Sequence, residues 1–572
     1  MTARRESAPP VDAPRTIVFL AVNASYAHSS LAAWYLQEIA ERAGWQWTTV
    51  EMLARDEPWD ALDRIGAVRP RVLASTFYLF NRQAVLSVLR RYKALRPECV
   101  VIGGGPEFLG DNRAFLESER AVDAVVRGEG EMALEAFLRT VDSPAEWPRI
   151  PGICGRMGRE CFDGGFAGEA QNLDDIPSPY RGRGTDFGKP FVQFETSRGC
   201  SNRCSFCTSG RGGTVRVLSM ARVRSDLHAI RAMGVRGVRI VDRTFNERPS
   251  RCIELVRLFR DEYPELRFHL EIDPARLTRS ILAELAAAPA GRFHIEAGIQ
   301  SLSPTVCRNV GRQATVRRSL AGLAALCRLN SVEVHADLIA GLPGASLADL
   351  FRDTDELVKL KPGEIQLETL KLLPGTVLDR ERPAWGIVAS PEAPYDVLLT
   401  PDMTGADLAV ARDLSRLLDR YYNAPALKKA VCLAAEETPD FWRRFTAFLA
   451  EQGGGGTCPD LEARFRLLDE FLSVIDSAPA ARNRLRYDWM KWGLSTRRGI
   501  CPVAAWKDAM PAGAQLVEGD GEAHFSRWYA VDLDRRYLFG YGGAGGSRKA
   551  TAVFTLGPAP SAPCRPSPSG RG

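Results

Sequence analysis

The chain has 572 residues, of which 45% are hydrophobic and 25% charged, with a formal net charge of +5. Those proportions suit a soluble globular protein of about three domains; so mild a charge, without a Lys/Arg block, argues against a nucleic-acid partner, and no apolar run approaches the length of a membrane span. There are thirteen cysteines, and apart from one triad they are scattered without paired spacing, as in the reduced thiols of a cytoplasmic enzyme.

The first fifteen residues, MTARRESAPPVDAPR, lack an apolar stretch and read as a disordered lead-in rather than a signal peptide. Over residues 16–145 strands alternate with helices. TIVFLAV (16–22), WTTVEML, VLASTFYL (72–79), CVVIGGGPE (99–107) and AVDAVVRGEGE (121–131) are the strand runs, and LAAWYLQEIAERAG is the first helix between them. The alternation predicts an α/β domain with a doubly wound parallel sheet, whose ligands sit at the carboxyl ends of the strands. The loops at that edge carry Asn23, His28, Ser75, Tyr78, Gly103, Gly104, Gly105, Glu107, Gly128 and Glu129. Three consecutive glycines let a bulky ligand approach the backbone with no Cβ in the way. They do not form a GxGxxG directly after the first strand, so no dinucleotide site is expected. Residues 146–190, with their Pro, Gly, Asp and Ser, read as a linker.

A second domain is expected over 191–400. It opens with FVQFETSRGCSNRCSFC, which spaces Cys200, Cys204 and Cys207 as C-x3-C-x2-C. Three thiolates in one short loop can bind three irons of a cubane cluster and leave the fourth open. A structural zinc site would want a fourth ligand and a second pair, and none follows. Strand and helix runs then alternate again, through GVRIVDRTFN, RFHLEID, RFHIEAGIQS, VEVHADLIAGLPG and EIQLETLKLLPGT. Six or so such units predict a partial TIM-like (β/α)6 barrel with its chemistry at the strand C-termini. In RFHLEID, Phe268, Leu270 and Ile272 alternate with His269 and Glu271, which turns Glu271 inward if the apolar face meets the outer helices. Glu296 has the same inward reading.

Residues 401–556 change character. DLAVARDLSRLLDRYYN, FWRRFTAFLAEQ and LEARFRLLDEFLSVI are amphipathic helical runs, the last two separated by a flexible GGGG. Tyr487, Trp489, Trp492, Trp506, Trp528 and Tyr529 then read as the core of a small helical cap, or as a pocket for an aromatic amino acid. The tail GPAPSAPCRPSPSGRG (557–572) reads as disordered.

The cysteine triad with this barrel resembles the radical SAM superfamily. NASYAHSSLAAWYL, STFYLFN, VVIGGGPE, RGEGE, SRGCSNRCSFC, VDRTFN, FHLEI, GIQS and HADLIAGLPG resemble its family with an N-terminal, Rossmann-like cobalamin-binding domain. KLLPGT and APYDVL resemble the subgroup of the tryptophan 2-C-methyltransferase of thiopeptide biosynthesis. The resemblance implies that Cys200, Cys204 and Cys207 hold a [4Fe-4S] cluster whose open iron meets the amino and carboxylate groups of S-adenosyl-L-methionine. It places Asp242 to Asn246 at the strand end that meets the methionine amine, with Asp-Arg-Thr where Gly-Gly-Glu is usual. Arg243 is a candidate carboxylate partner, because a guanidinium binds carboxylates bidentately. Leu338 and Ala340 lie in the strand end beside the adenine, and Gln300 and Glu296 fall among the cofactor contacts. The sheet loops, from Asn23 to Glu129, are implied to hold cobalamin. The family's cobalt-ligating loop is D-x-H-x-x-G, and His28 lies five residues after Asn23, so no protein histidine is expected below the cobalt. Glu271 is the candidate catalytic residue, either bonding the cofactor's ribose or ligating the open iron as a hard oxygen donor. The implied reaction passes a methyl group from S-adenosyl-L-methionine through cobalamin to a carbon of a small aromatic substrate, L-tryptophan C2, with an external electron donor as partner. The alternative is methylation of an unactivated carbon, or a cyclisation or rearrangement, through a 5′-deoxyadenosyl radical.

Overall fold

The structure, a computed structural model, describes residues 15–183, 187–210, 213–453, 459–475, 478–495, 499–508, 510–511, 513–519, 527–542 and 549–558. The lead-in up to residue 14, residues 454–456 of the glycine run and the tail from residue 559 lie outside these. The chain forms two units: one of residues up to 346 together with 369–408, the other of residues 347–368 and 409 onward. Among the described residues no helix is long and apolar enough to cross a membrane.

The first unit begins with a seven-stranded sheet in the order β2-β1-β3-β4-β5-β6-β7. Its strands are β1 (Thr16–Asn23), β2 (Gln46–Leu53), β3 (Val72–Thr76), β4 (Val100–Gly104), β5 (Ala124–Val126), β6 (Ile153–Met157) and β7 (Glu160–Asp163). The helices are α1 (Leu31–Arg42), α2 (Trp59–Val68), α3 (Arg82–Leu95), α4 (Arg113–Ser118) and α5 (Gly130–Arg139). β1 to β5 are parallel. Parallel strands are covered on both faces and so read as unbroken apolar runs; Ile17 to Val22 accordingly lie at 0–4% exposure. Ser30 caps α1 by accepting from the Ala33 amide, and Gly44, at φ +82°, ends that turn in the left-handed region. Because β1 is flanked by β2 on one side and β3 on the other, the strand order reverses at β1/β3, where a doubly wound sheet opens its ligand crevice. Inside the stretch read as linker, β6 and β7 add two antiparallel strands. Pro151, Gly152, Gly164 and Gly165 punctuate that hairpin and gave it the composition of a connector.

A second sheet of the same unit contains β8 (Phe191–Phe194), and beyond it the cluster loop is framed by a two-residue antiparallel pair, β9 (Ser197–Arg198) and β10 (Arg216–Val217). The order β8-β11-β12-β13-β14 is parallel throughout. Its members are β11 (Gly237–Ile240), β12 (Arg267–Ile272), β13 (Phe293–Gln300) and β14 (Val332–Ala340), connected by α6 (Met220–Ala232), α7 (Pro249–Asp261), α8 (Arg279–Ala286), α9 (Pro304–Asn309) and α10 (Val316–Cys327). On β13, Phe293, Ile295, Ala297 and Ile299 are buried, and His294, Glu296 and Gln300 alternate with them. The chain then supplies α11 (Leu347–Leu360) and most of β15 (Glu364–Thr369) to the second unit, and returns to the first with α12 (Val377–Glu381), β16 (Val388–Ala389) and β17 (Val397–Leu399).

The second unit is helical around α13 (Gly405–Leu417), α14 (Lys428–Glu437), α15 (Phe441–Glu451), α16 (Leu461–Val474) and α17 (Pro479–Lys491), with Trp442 and Trp489 fully buried. It ends in an antiparallel sheet of β18 (Ala504–Ala505), β19 (Gln515–Gly519), β20 (Arg527–Asp532), β21 (Arg535–Tyr541) and β22 (Ala552–Pro558). The aromatic segment read as a helical cap is therefore split: Tyr487 and Trp489 are helical, whereas Trp528 and Tyr529 lie on β20.

One glycine bears on the barrel. A Cβ on Gly322, in α10, would stand 1.9 Å from the Pro274 carbonyl oxygen, in the turn that follows β12. Two backbones meet there and neither can yield cheaply. Gly322→Ala should lower stability by about 1–3 kcal/mol or more, read as a lower urea midpoint; an unchanged midpoint would contradict this packing.

Candidate functional site

The cluster loop leaves β8 through Glu195, Thr196 and Ser197, and one carboxylate fixes that exit. Asp242, just past β11, is 2% exposed. It accepts from the Thr196 amide at 2.6 Å and hydroxyl at 2.5 Å, and from the Ser197 amide at 3.0 Å and hydroxyl at 2.8 Å. Burial pushes its carboxyl pKa up against those bonds. This corrects the expected role: Asp242 has no oxygen left for a methionine amine and instead anchors the loop. Farther along, Cys200 Sγ lies 3.5 Å from Thr244 Oγ1, and the Ser209 amide donates to Cys207 Sγ at 3.4 Å. Cys204 is buried, and that burial raises its thiol to about 11, with Arg312 opposing and Cys207 and Cys200 adding to the rise. The loop closes tightly: a Cβ on Gly210 would stand 2.0 Å from the Cys204 carbonyl oxygen. Three thiols in mutual electrostatic reach fit a cluster that takes one iron each. Among the described residues no three His, Cys, Asp or Glu side chains are grouped as a single metal ion would need. Loading a metal here must displace the Cys204 proton.

On the barrel side, Glu271 and Arg243 line a cavity of about 690 Å³. Glu271 is pushed up to about 7 by burial; Arg243 opposes that rise and Glu296 adds to it. Glu271 stands level with Glu296 across β12 and β13, and His269 with His294. His269 Nε2 and Glu296 Oε2 are 3.0 Å apart, and that bond, against burial, holds the Glu296 carboxyl below its usual range. Glu296 thus closes a histidine–carboxylate layer, with His269 stacked on His294 at 4.9 Å, and does not line the cavity. Gln300 sits at φ +68° with its amide folded over Gly298. Leu338 and Ala340 are 1% exposed, and the Ala340 carbonyl accepts from Leu370. Both side chains are in the core, so the strand end they form could offer an adenine its backbone only.

The opposite wall of the same cavity comes from the first sheet, at β1/β3. Asn23, His28, Tyr78, Gly105, Gly128 and Glu129 all line it. A smaller cavity of about 160 Å³ shares Tyr78, Gly105 and Gly128 with it and is also walled by Ser75, Gly103 and Gly104. Ser75 is tied by its hydroxyl to the Leu20 carbonyl at 2.8 Å. A Cβ on Gly105, at φ +104°, would meet the Phe77 oxygen at 2.7 Å, whereas one on Gly104 meets nothing nearer than Val126 at 3.9 Å. Gly104 therefore faces open space that a side chain would fill, the cradle a large planar ligand needs. His28 is held by Ser25 Oγ, 2.8 Å from its Nδ1, and by an edge contact with Phe191. Burial, then Arg239 and Lys189, lower its pKa. Burial raises Glu129's carboxyl, but the bond from Arg216 and the nearby Arg198 bring it below the usual range.

Glu107 is a further correction. It is 8% exposed, turned away from the cavity, and accepts from the Tyr395 hydroxyl at 2.5 Å. The sequence reading also missed Arg198, which lines the cavity and pairs with Glu131 at 2.6 Å and Glu195 at 2.8 Å. The signal was there in SRGC and RGEGE, whose charges are opposite and lie at the two facing strand edges.

Residues 17–138 match the family profile of the B12 binding domain, 194–357 that of the Radical SAM superfamily, and 383–506 that of a protein of unknown function, DUF4080. The chain is 30% identical over 216 residues to the cobalamin-dependent radical SAM methyltransferase TokK of Streptomyces tokunonensis, covering 35% of this chain and 31% of that protein. It is 32% identical over 187 residues to the hopanoid C-3 methylase of Methylococcus capsulatus, covering 31% and 35%. The match thus spans about a third of those relatives. Among solved structures, the fold is similar to that of the radical SAM methyltransferase TsrM from Kitasatospora setae, with cobalamin and [4Fe-4S] cluster bound (TM-score 0.56, 17% identity, 67% of this chain and 78% of that one). It is also similar to the cobalamin-dependent radical enzyme OxsB (TM-score 0.58, 13% identity, 82% and 79%). The chain joins a B12 binding domain to a radical SAM domain, and its cofactors are a [4Fe-4S] cluster, S-adenosyl-L-methionine and cobalamin.

Two outcomes follow from this geometry. Gly104→Val should fold normally yet lose cobalamin, seen as loss of the corrin absorbance after reconstitution with the iron content unchanged; retained cobalamin would move the cradle elsewhere. Glu271 has a folded pKa near 7, above its ordinary 4.5, so its ionised form costs stability once pH rises past the ordinary value, and in full above 7. Glu271→Gln should raise the unfolding temperature of cofactor-free protein at pH 8, on the order of 2–4 °C, and leave it unchanged near pH 4.

Proposed function

We propose that this chain is a cobalamin-dependent C-methyltransferase that uses S-adenosyl-L-methionine, with L-tryptophan C2 as the acceptor carbon. The observation that carries the reading is a cavity walled on one side by Asn23, Gly105 and Gly128 of the first sheet's loops and on the other by Gly199, Thr208 and Ser209 of the cysteine loop, with Arg243 and Glu271. Two cofactors that exchange a methyl group must open onto one water-poor space.

When bound, cobalamin carries the methyl group, and the cluster with S-adenosyl-L-methionine supplies the alternative radical route. The chain's own residues do the positioning. Cys200, Cys204 and Cys207 hold the cluster, on a loop that Asp242 pins. Arg243 offers a guanidinium to a carboxylate in the cavity. Glu271, titrating close to neutrality, is available there either as a hard oxygen donor towards the open iron or as an acceptor for the proton that leaves the acceptor carbon. Tyr78 and Phe80 stack with ring centroids 5.5 Å apart on the cavity wall, and Phe80 is 45% exposed, an aromatic face suited to a planar indole. A neighbouring fold is that of TsrM with tryptophan substrate bound, which supports the same acceptor. The radical SAM methyltransferase TokK and the hopanoid C-3 methylase, neither of them named for tryptophan, support the second reading, methylation of another carbon, for which the route would be a 5′-deoxyadenosyl radical.

Anaerobic reconstitution with hydroxocobalamin, a reductant, methyl-labelled S-adenosyl-L-methionine and tryptophan separates the two. Labelled methyltryptophan with S-adenosylhomocysteine and no 5′-deoxyadenosine is the expected outcome. Formation of 5′-deoxyadenosine in step with product would replace it by the radical route, and protein that takes up no cobalamin would overturn both.

A further inference from the structure

Two motifs of the sequence, KLLPGT and APYDVL, belong to neither cofactor wall. Both lie in the segment 370–400, which returns to the first unit after β15. The geometry points to this segment as a strap that sets the spacing of the cluster loop and the cobalamin cradle, with Tyr395 as a positioning residue acting through Glu107. The inference rests on the two-cofactor reading above.

The strap touches each part of the site in turn. The Leu370 amide donates to the Ala340 carbonyl at the end of β14, at 2.9 Å. At Gly375 the backbone crosses that of the cradle domain: a Cβ there would stand 2.3 Å from the Gly110 nitrogen and 2.4 Å from the Leu109 carbonyl carbon. Its φ of +76° also lies in the left-handed region. Three residues on, the Leu378 amide donates at 2.9 Å to the carbonyl of Ser205, which stands between Cys204 and Cys207. One short run thus binds both cofactor-bearing loops through backbone atoms.

The second half of the strap locks the first. Leu372 donates to the Tyr395 carbonyl at 2.9 Å, and Lys371 bridges to Asp396. The Tyr395 hydroxyl donates to Glu107 at 2.5 Å and accepts from Arg82 Nη1 at 2.9 Å; Arg82 Nε is 3.6 Å from the same carboxylate. Glu107 and Tyr395 are each 8% exposed, so this is a buried charge whose best partner is the phenol, and an unpaired buried carboxylate is costly. Tyr395 itself sits at φ +62°, a backbone state that bulky residues hold only when their surroundings enforce it. Pro106 and Leu109, on either side of Glu107, line the cavity. Moving the phenol therefore moves the wall against which the corrin would rest.

The test measures the spacing directly, by the dipolar coupling between cob(II)alamin and the reduced cluster in the electron paramagnetic resonance spectrum of the reconstituted full-length protein. Wild type should give one defined coupling. Tyr395→Phe and Gly375→Ala should give a weaker and broader one at unchanged iron and cobalamin content, with kcat down about tenfold to 100-fold and KM for S-adenosyl-L-methionine little moved. Glu107→Gln, which still accepts from the phenol, should retain the wild-type coupling. If Gly375→Ala does not fold, Tyr395→Phe, which removes a single oxygen, decides. An unaltered coupling in Tyr395→Phe overturns the strap and leaves the methyltransferase reading standing; a wild-type protein without any coupling overturns the two-cofactor reading itself.

Discussion

The Asp242 carboxylate, with four bonds to Thr196 and Ser197, is the constraint on which the site depends. A strand that leads into a cysteine loop has no intrinsic reason to turn in one direction, and loops as short as this one lose their shape without fixed backbone partners. Here a buried acceptor from the adjacent strand satisfies two amides and two hydroxyls at once. A carboxylate so fully used can be tolerated in the core despite the cost of burying its charge. The entry to the cysteine loop is thereby tied to the parallel sheet three residues before Cys200.

The cradle side achieves the same end by subtraction. Gly103, Gly104 and Gly105 contribute backbone only, and each does something different. Gly103 packs on Phe108 and Phe77, Gly105 turns over the Phe77 carbonyl, and Gly104 leaves space. Between the two walls the charges are largely internal pairs: Arg198 with Glu131 and Glu195, Arg216 with Glu129. Glu271 and Arg243 differ from these in facing the cavity with no ion pair to each other, which is the usual condition of groups kept for a ligand.

The sequence made the chemistry legible where a residue type is irreplaceable. The placement of three thiols in one loop, of consecutive glycines at a cavity wall and, by its two-residue period, of Glu271 on the cavity side was readable from the chain. It was misleading where a polar or terminal position looked functional but is structural. Asp242 and Glu107 are carboxylates at strand ends, the expected address of a ligand contact, yet each is consumed by a partner far away in the chain: 46 residues for Asp242 to Thr196, 288 for Glu107 to Tyr395. Leu338 and Ala340 have side chains in the core, so only their backbone could meet a nucleotide. The β6–β7 hairpin was hidden because glycine and proline punctuate strands of five and four residues.

The central claim is that one cavity receives both cofactors. A crystal structure of the anaerobically reconstituted protein with cobalamin and S-adenosyl-L-methionine tests it most directly. The account predicts the corrin over Gly103–Gly105 with its upper face and the open iron turned to the same space, beside Arg243 and Glu271. A corrin bound on any other face of the sheet, or an open iron shielded from it by protein, would contradict the account.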